Sequence, residues 1–366
     1  MTDKIGNADQ TKKWMKEADF LRGIAILAVL MIHTTWNSTM VNTLSDLAIF
    51  NIIVNFFSRF AVPLFVFVSG MVLSRKYYHK LDRRHFYSNR FKSIMPAYIL
   101  FSMFYMLCEV AYFREIPPIN EIIIKWLTGD YGYLWFLVLI LQIYLFFPFI
   151  ISIYCKYTKK ADYLLIIAFI IELAWASIDI DLPRDLMFPS GLFYLVLGIY
   201  TYDHMLTYNL RSYKSYMVLL SILFFTMLIS YLLIFDIIKY GSFENIPVKY
   251  PVHLLAIGQL LYTAVIILML NIGVHFKNKT NMLISLVYIF GIYSFGIYLT
   301  HFFYRQLITA LLIKIGITLN DYPFYTILFL GMLIFSLATT YIVSRLPFGK
   351  YIVGTTSTRN RANMRK

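Results

Sequence analysis

Residues 20–33 read Phe20-Leu-Arg22-Gly-Ile-Ala-Ile-Leu-Ala-Val-Leu-Met-Ile-His33, and this apolar stretch with a polar residue near each end decides the fold. In a helix, Arg22 and His33 would lie on the same face, three turns or about 16 Å apart. Ionisable side chains are costly inside a membrane helix and commonly mark a functional site. The stretch therefore predicts a membrane helix that carries a cation near one boundary and an imidazole near the other.

The composition of the whole chain is that of a membrane protein. Of its 366 residues, 60% are hydrophobic and only 14% are charged, and the mean hydropathy is +0.67, which is far above that of soluble domains. We predict an all-α, polytopic membrane protein with about ten transmembrane helices. The predicted spans are residues 20–36, 50–74, 93–113, 133–154, 163–178, 188–202, 216–238, 253–273, 282–303 and 324–344.

Lysine and arginine are distributed unequally between the two sides of these spans. If the N-terminus is inside, the cytoplasmic segments hold 24 of the 33 basic residues and the opposite side holds 7. Because positively charged loops stay in the cytoplasm, both termini are predicted to be cytoplasmic. The net charge of +14 then needs no nucleic acid. The basic loop over residues 75–92 is expected to face lipid headgroups, with an anionic cytosolic cofactor as the alternative.

The sequence predicts a cytoplasmic tail over residues 1–17, one ten-helix domain over 18–348 and a basic cytoplasmic tail over 349–366. The expected location is the bacterial plasma membrane, as a multi-pass protein. Cys108 and Cys155 fall at opposite ends of their spans, so we expect no disulfide between them. No metal-binding pattern is present in the sequence.

Three charged residues in the predicted spans are candidates for function. Arg22 follows Asp19 by one helical turn, so an ion pair between them is the structural alternative to a binding role. Arg59 falls in the middle of the span 50–74, and we expect it to be buried and to line a polar cavity or bind an anionic group. Glu172 is predicted to be either a counter-ion for Arg59 or a neutral, hydrogen-bonding acid.

A second histidine, His301, lies at the outer end of the predicted span 282–303. The predicted topology places it at the same depth as His33, although the two residues are far apart in the chain. Histidine is the side chain best suited to accept and return a proton near neutral pH. The two histidines therefore predict a proton-transfer site on the outer side.

Four segments resemble motifs of one family, in the same order. Arg22 through His33 resembles an Arg-x10-His signature, and the segment from Arg59 to Ser69-Gly70 is similar to the family's second-helix element. Tyr133-Leu-Trp135-Phe-Leu resembles a Leu-Trp-Phe motif, and Ser294-Phe-Gly-Ile-Tyr-Leu-Thr-His301 resembles a late Ser-x-Gly-x-Tyr-Leu-x-His element. On these motifs the chain is identified as a member of the acyltransferase-3 superfamily of membrane acyltransferases.

The resemblance implies an O-acyltransferase that moves an acyl group, most often acetyl, from cytosolic acyl-CoA to a hydroxyl of an extracytoplasmic or lipid-linked carbohydrate. Acyl-CoA is the implied donor substrate, and no metal is implied. The implied partners are a surface or lipid-linked glycan as the acceptor, membrane lipid and glycan-biosynthesis proteins. The acceptor glycan and the acyl group, acetyl or succinyl, are left open.

These implications assign roles to residues of this chain. We expect Arg22 to anchor the anionic part of coenzyme A and His33 to act as a general base, or as a transient acyl carrier. His301 would orient the acceptor or share proton transfer. The candidate catalytic residues are His33, Arg22 and His301, and the candidate substrate-binding residues are Arg59, Ser69, Trp135 and Glu172. For Ser69 a helix-packing role is the favoured alternative, and for Trp135 a place in the interfacial aromatic belt.

Two other function classes remain open from the sequence. The first is a transporter, namely an exopolysaccharide exporter, and the same signature also allows a succinyl-modification protein of a biofilm or capsule pathway. No repeated half is detectable, which disfavours a transporter only weakly. A membrane-embedded sensor is the third class, and a fused cytosolic effector would favour it.

Overall fold

The computed structural model describes residues 15–36, 45–178, 184–205, 252–277 and 281–354. Within these ranges the regular structure consists of α-helices and short 3-10 segments, without strands. The described α-helices are α1 (Lys16–Thr35), α2 (Asp46–Ser58), α3 (Ala61–Tyr77), α4 (Arg83–Phe113), α5 (Ile119–Thr128), α6 (Trp135–Lys156), α7 (Ala161–Ser177), α8 (Leu192–Met205), α9 (Val252–Phe276), α10 (Met282–Lys314), α11 (Tyr322–Val343) and α12 (Gly349–Val353).

Seven described helical segments are long and apolar enough to cross a membrane, namely α1, α2 together with α3, α4, α6, α9, α10 and α11. The shorter helices α7 and α8 lie where the sequence predicts the spans 163–178 and 188–202. The predicted span 216–238 lies outside the described residues. The prediction of an all-α, polytopic membrane protein is confirmed, while the count of ten and the cytoplasmic termini remain predictions.

Helix α1 lies inside the bundle and packs against α2, α3, α9, α10 and α11. Its closest neighbour is α10, and two glycines make this approach possible. A Cβ at Gly23 would lie 2.0 Å from the carbonyl oxygen of Val287, and one at Gly291 would lie 1.7 Å from that of Asp19. Small residues allow membrane helices to pack backbone to backbone. This contact brings the N-terminal halves of α1 and α10 side by side.

A second close pair consists of α3 and α8. A Cβ at Gly70 would lie 2.3 Å from the carbonyl oxygen of Leu195, and one at Gly198 would lie 2.2 Å from that of Phe67. The neighbouring Ser69 donates its hydroxyl to the carbonyl oxygen of Phe65, 2.9 Å away within the same helix. Ser69 thus makes a hydrogen bond within its own helix, and Gly70 packs against α8.

The predicted span 50–74 is not one helix. It breaks at Arg59 and Phe60, between α2 and α3. Pro63 has no N–H to donate to the carbonyl of Arg59, and its ring would clash with that carbonyl in a continuous helix. The Arg59 side chain is exposed, and its Nε donates to Asn55 Oδ1 at 3.2 Å. The Arg59 side chain is therefore not enclosed by the protein, whereas its place at mid-membrane depth and its binding role remain predictions.

Two other boundaries differ from the sequence prediction. Helix α10 does not end at residue 303 but continues to Lys314. Residues 349–353, assigned to the C-terminal tail, form α12, whose Val353 is buried. Helix α12 packs against α4, α10 and α11, so the helical bundle extends beyond residue 348.

Candidate functional site

The site is built at the C-terminal end of α1, where the last carbonyl groups of the helix have no partner within it. Side chains from two other helices bind these carbonyls. Asn55 Nδ2 donates to the oxygen of Ile32 at 3.1 Å, and Arg305 Nε donates to the oxygen of His33 at 2.8 Å. A guanidinium at a helix C-terminus also interacts favourably with the helix dipole. The end of α1 is thereby fixed between α2 and α10.

Two imidazoles meet at this position. The ring of His33 lies 4.8 Å from that of His301, centroid to centroid, with 53° between their planes. His301 is completely buried, whereas His33 is half-buried. The sequence predicts that the two histidines lie at the same depth, and in the structure their rings are also in direct contact. Of the two residues, His33 is the one that is partly exposed.

The hydrogen bonds of His301 fix its tautomer. Its Nδ1 lies 2.5 Å from the carbonyl oxygen of Tyr298. A carbonyl oxygen can only accept, so Nδ1 carries the proton, and in a neutral imidazole Nε2 is then an acceptor. Nε2 is buried and has no hydrogen-bond partner. A buried polar atom without a partner is costly, which makes it a candidate for a functional group.

Aromatic rings pack against the His33 side chain. Tyr133 lies 5.3 Å from it and Phe302 lies 6.4 Å from it, both edge to face. The hydroxyl of Tyr298 donates to the carbonyl oxygen of Tyr133 at 2.7 Å, so α10 holds the segment that carries Tyr133. This apolar surround excludes water from one side of the two imidazoles and strengthens electrostatic interactions between them.

The segment before α6 adopts a left-handed backbone conformation, with φ of 63° at Gly132 and 58° at Tyr133. Glycine is required at position 132 for a second reason, because a Cβ there would lie 2.1 Å from the ring of Tyr105. Tyr105 itself donates its hydroxyl to the carbonyl oxygen of Leu299 at 2.8 Å. The turn, α4 and α10 thus fix Tyr133 against His33.

Arg305 was not singled out by sequence reasoning. The sequence placed it in a connection outside the bundle, because the span was predicted to end at residue 303. In the helix, Arg305 lies one turn after His301 on the same face, and its guanidinium carbon lies 5.7 Å from the ring centroid of Phe302. The sequence feature that could have identified Arg305 is its spacing of four residues from His301.

Arg22 lies three turns from His33, at the opposite end of α1. Its Nη1 is 3.1 Å from Asp19 Oδ1, and the two side chains are 31% and 3% exposed. The ion pair expected as the structural alternative is therefore present. Because the Arg22 side chain is only part-buried, this contact leaves part of it accessible.

The contacts observed for the other substrate-binding candidates do not include either histidine. Glu172 Oε1 accepts from Gln259 Nε2 at 2.8 Å, and its Oε2 accepts from the backbone N–H of Phe193 at 2.9 Å. Glu172 was predicted to be either a counter-ion for Arg59 or a hydrogen-bonding acid, and these bonds give it the second role. Arg59 instead contacts Asn55. Trp135 contacts Phe136, with 6.4 Å between ring centroids.

No group of three or more histidine, cysteine, aspartate or glutamate side chains suited to a metal ion exists among the described residues. The two cysteines are free. The side chains that meet at the site are two imidazoles, a guanidinium and aromatic rings.

The chain matches the model of the family described as acyltransferase domain over residues 15–341. This range includes α1, the turn that carries Tyr133 and α10. No curated protein and no solved structure matches the chain.

Proposed function

The chain belongs to the acyltransferase-3 family of membrane acyltransferases, and from this premise we propose that it transfers an acyl group from cytosolic acyl-CoA to a hydroxyl of an extracytoplasmic or lipid-linked carbohydrate. Acetyl-CoA is the proposed donor. The observation that carries the proposal is the contact of His33 with His301, whose unpaired Nε2 lies within the bundle.

In the proposed reaction, His33 is the general base. It takes the proton from the acceptor hydroxyl as the hydroxyl oxygen attacks the thioester carbonyl carbon. The tetrahedral intermediate collapses, the carbon–sulfur bond breaks, and the thiolate of coenzyme A leaves and regains the proton. A base works best when a third group orients it. Nε2 of His301 is suited to this role, because it is a buried acceptor without a partner and the ring of His33, which can donate an N–H, is in contact with its ring.

Arg22 is proposed to bind the donor at the other end of α1. Coenzyme A is anionic, and a guanidinium binds phosphate through paired hydrogen bonds. The pantetheine arm would then extend along α1 over about 16 Å to reach His33. This assignment requires the orientation predicted from the basic residues, with the Arg22 end of α1 on the cytosolic side.

Replacing Arg22 with alanine is expected to raise the KM for acyl-CoA by about tenfold or more, because charged hydrogen bonds are strong. The measurement is donor dependence of transfer in membranes that contain the full chain. The variant Asp19→Asn/Arg22→Ala is the control, since it removes the carboxylate that Arg22 neutralises. If Arg22 serves only Asp19, the double variant recovers the normal KM, and the donor-binding role is then wrong.

Arg305 is proposed to position His33. Replacing it with glutamine is expected to lower kcat by about 10-fold or more without changing the KM for acyl-CoA, because a loosely held base is misplaced for proton transfer. Arg305→Lys keeps a donor and should recover part of the rate. The kinetic constants of the three forms test this proposal. A rise in donor KM with kcat unchanged would instead assign Arg305 to substrate binding.

A single experiment tests the proposed function as a whole. Cells with and without the gene are compared by mass spectrometry of their surface glycans, which identifies both the acyl group and the acceptor. Loss of one ester-linked acyl group from one glycan is the expected result. Unchanged acylation together with loss of the glycan from the surface would favour an exporter instead.

A further inference from the structure

Helix α5 exposes one apolar side along its whole length. Ile119, Ile123, Ile124 and Leu127 are 71%, 51%, 57% and 70% exposed. At 100° per residue they lie within an arc of about 140°, which also contains Asn120. These four apolar residues form the α5 apolar face. The helix has 10 residues, or about 15 Å, which is too short to cross a bilayer alone. An exposed face of this kind indicates an apolar partner.

Another side of α5 is bonded to helix α4. Lys125 Nζ is hydrogen-bonded to the carboxylate of Glu109, and the carbonyl oxygen of Trp126 accepts from the hydroxyl of Tyr98. Tyr98 and Glu109 lie about 16 Å apart along α4, and both precede the end of that helix at Phe113. The C-terminal half of α5 therefore lies beside α4 and not beyond its end.

The turn that follows α5 also lies beside α4. A Cβ at Gly132 would lie 2.1 Å from the ring of Tyr105, which is about 12 Å before the end of α4. At membrane depth, irregular backbone is tolerated only where protein or a water-filled cavity covers it. Tyr131 and Leu134 meet this condition, because they are 2% and 0% exposed. Asp130 is exposed, so its carboxylate has to face the water-filled side.

Helix α4 indicates what surrounds α5. It is among the described segments that are long and apolar enough to cross a membrane, and its residues Leu100, Met103 and Leu107 are 46%, 46% and 59% exposed. In a membrane-crossing helix, such side chains contact lipid, whose chains are as apolar as leucine. Helix α5 lies beside this same stretch of α4 and presents side chains of the same kind. Lipid chains therefore match the α5 apolar face in both chemistry and position.

From these contacts we propose that lipid acyl chains cover the α5 apolar face and that α5 is a membrane-embedded half-helix, joined to α6 through the turn over residues 129–134. The two helices then form one interrupted membrane crossing. Interrupted helices occur in membrane proteins where the break lines a binding site. Here the break brings Tyr133 against His33, with 5.3 Å between ring centroids. Embedding of α5 is independent of the reaction that the two histidines carry out.

Spin labels at single cysteines test this placement. The full chain, with Cys108 and Cys155 replaced by alanine, is reconstituted in phosphatidylcholine vesicles. Electron paramagnetic resonance then measures how often each label collides with O₂, which concentrates in hydrocarbon, and with a water-soluble nickel chelate. Labels at Ile123→Cys and Leu127→Cys are expected to show the high ratio of O₂ to nickel collisions found at Leu145→Cys, an exposed position in the middle of α6.

The matched control for water is Asn320→Cys, an exposed position in the connection between α10 and α11, where nickel collisions should dominate. A ratio at positions 123 and 127 like that at position 320 would place the α5 apolar face in water and overturn the proposal. Few collisions with either reagent would show that protein covers the face, which would overturn it as well. If either labelled chain fails to fold, Ile119→Cys and Ile124→Cys report on the same face and carry the same expectation.

Discussion

Replacing His33 with alanine is expected to abolish acyl transfer while the chain still reaches the membrane in normal amounts. The substitution removes the imidazole that we propose as the general base, and loss of a general base costs about 10²–10⁴-fold in rate. Folding should survive, because the backbone carbonyl of residue 33 remains available to Arg305. Transfer of labelled acetyl from acetyl-CoA into the glycan fraction of membranes measures the effect.

The matched control for this substitution is His204→Ala. His204 is also a part-buried helical histidine, its ring is stacked on Tyr200, and it lies outside the proposed site. Its replacement should leave transfer near the native rate. Glycan export must be measured in parallel, because joint loss of export and acylation in the His33 variant would contradict the enzyme assignment. Normal transfer by that variant would exclude His33 as the base.

Much of the architecture could be predicted from the sequence. Hydropathy locates apolar helices because burial in lipid requires continuous apolar segments. Counting spans then gives each residue a depth, and in this way His33 and His301 were expected at one level. Depth does not determine which helices are neighbours, however. The two rings meet because α1 and α10 are neighbours that pack closely, as at Gly23 and Gly291, and only the structure reveals this pairing.

The failures of the sequence analysis have identifiable causes. Arg59 was placed in mid-helix because the apolar run continues through it, although Pro63, which cannot continue the hydrogen-bond pattern of a helix, was visible four residues later. Arg305 was assigned to a connection because hydropathy falls where the helix still continues. For Glu172 the sequence left two roles open, a counter-ion for Arg59 and a hydrogen-bonding acid, and the bonds from Gln259 and a backbone N–H decide for the second. A buried acid can be satisfied by neutral donors, and spacing along the chain does not indicate them.

His301→Asn is expected to lower kcat by about 10²-fold or more while leaving the KM for acyl-CoA unchanged. Asparagine places an amide N–H close to the position of Nδ1, so it can still donate to the carbonyl oxygen of Tyr298. It has no counterpart of Nε2, the buried acceptor that we propose for orienting His33. His301→Gln reverses the comparison, because its amide reaches the position of Nε2 and loses the contact with Tyr298. Steady-state kinetics of both variants provide the measurement.

The pair of variants separates a role in proton transfer from a role in packing. If His301 only fills space and holds Tyr298, the asparagine variant should be nearly as active as the native chain, because it preserves that hydrogen bond. If Nε2 orients the base, the glutamine variant should recover more activity than the asparagine variant, since its amide oxygen can accept from His33. His204→Asn removes the ring of a histidine that also contacts a backbone carbonyl in its own helix, and it serves as the control. Low activity in the His204 variant would mean that loss of such a ring harms the bundle generally, and the result for His301 would then carry no mechanistic weight.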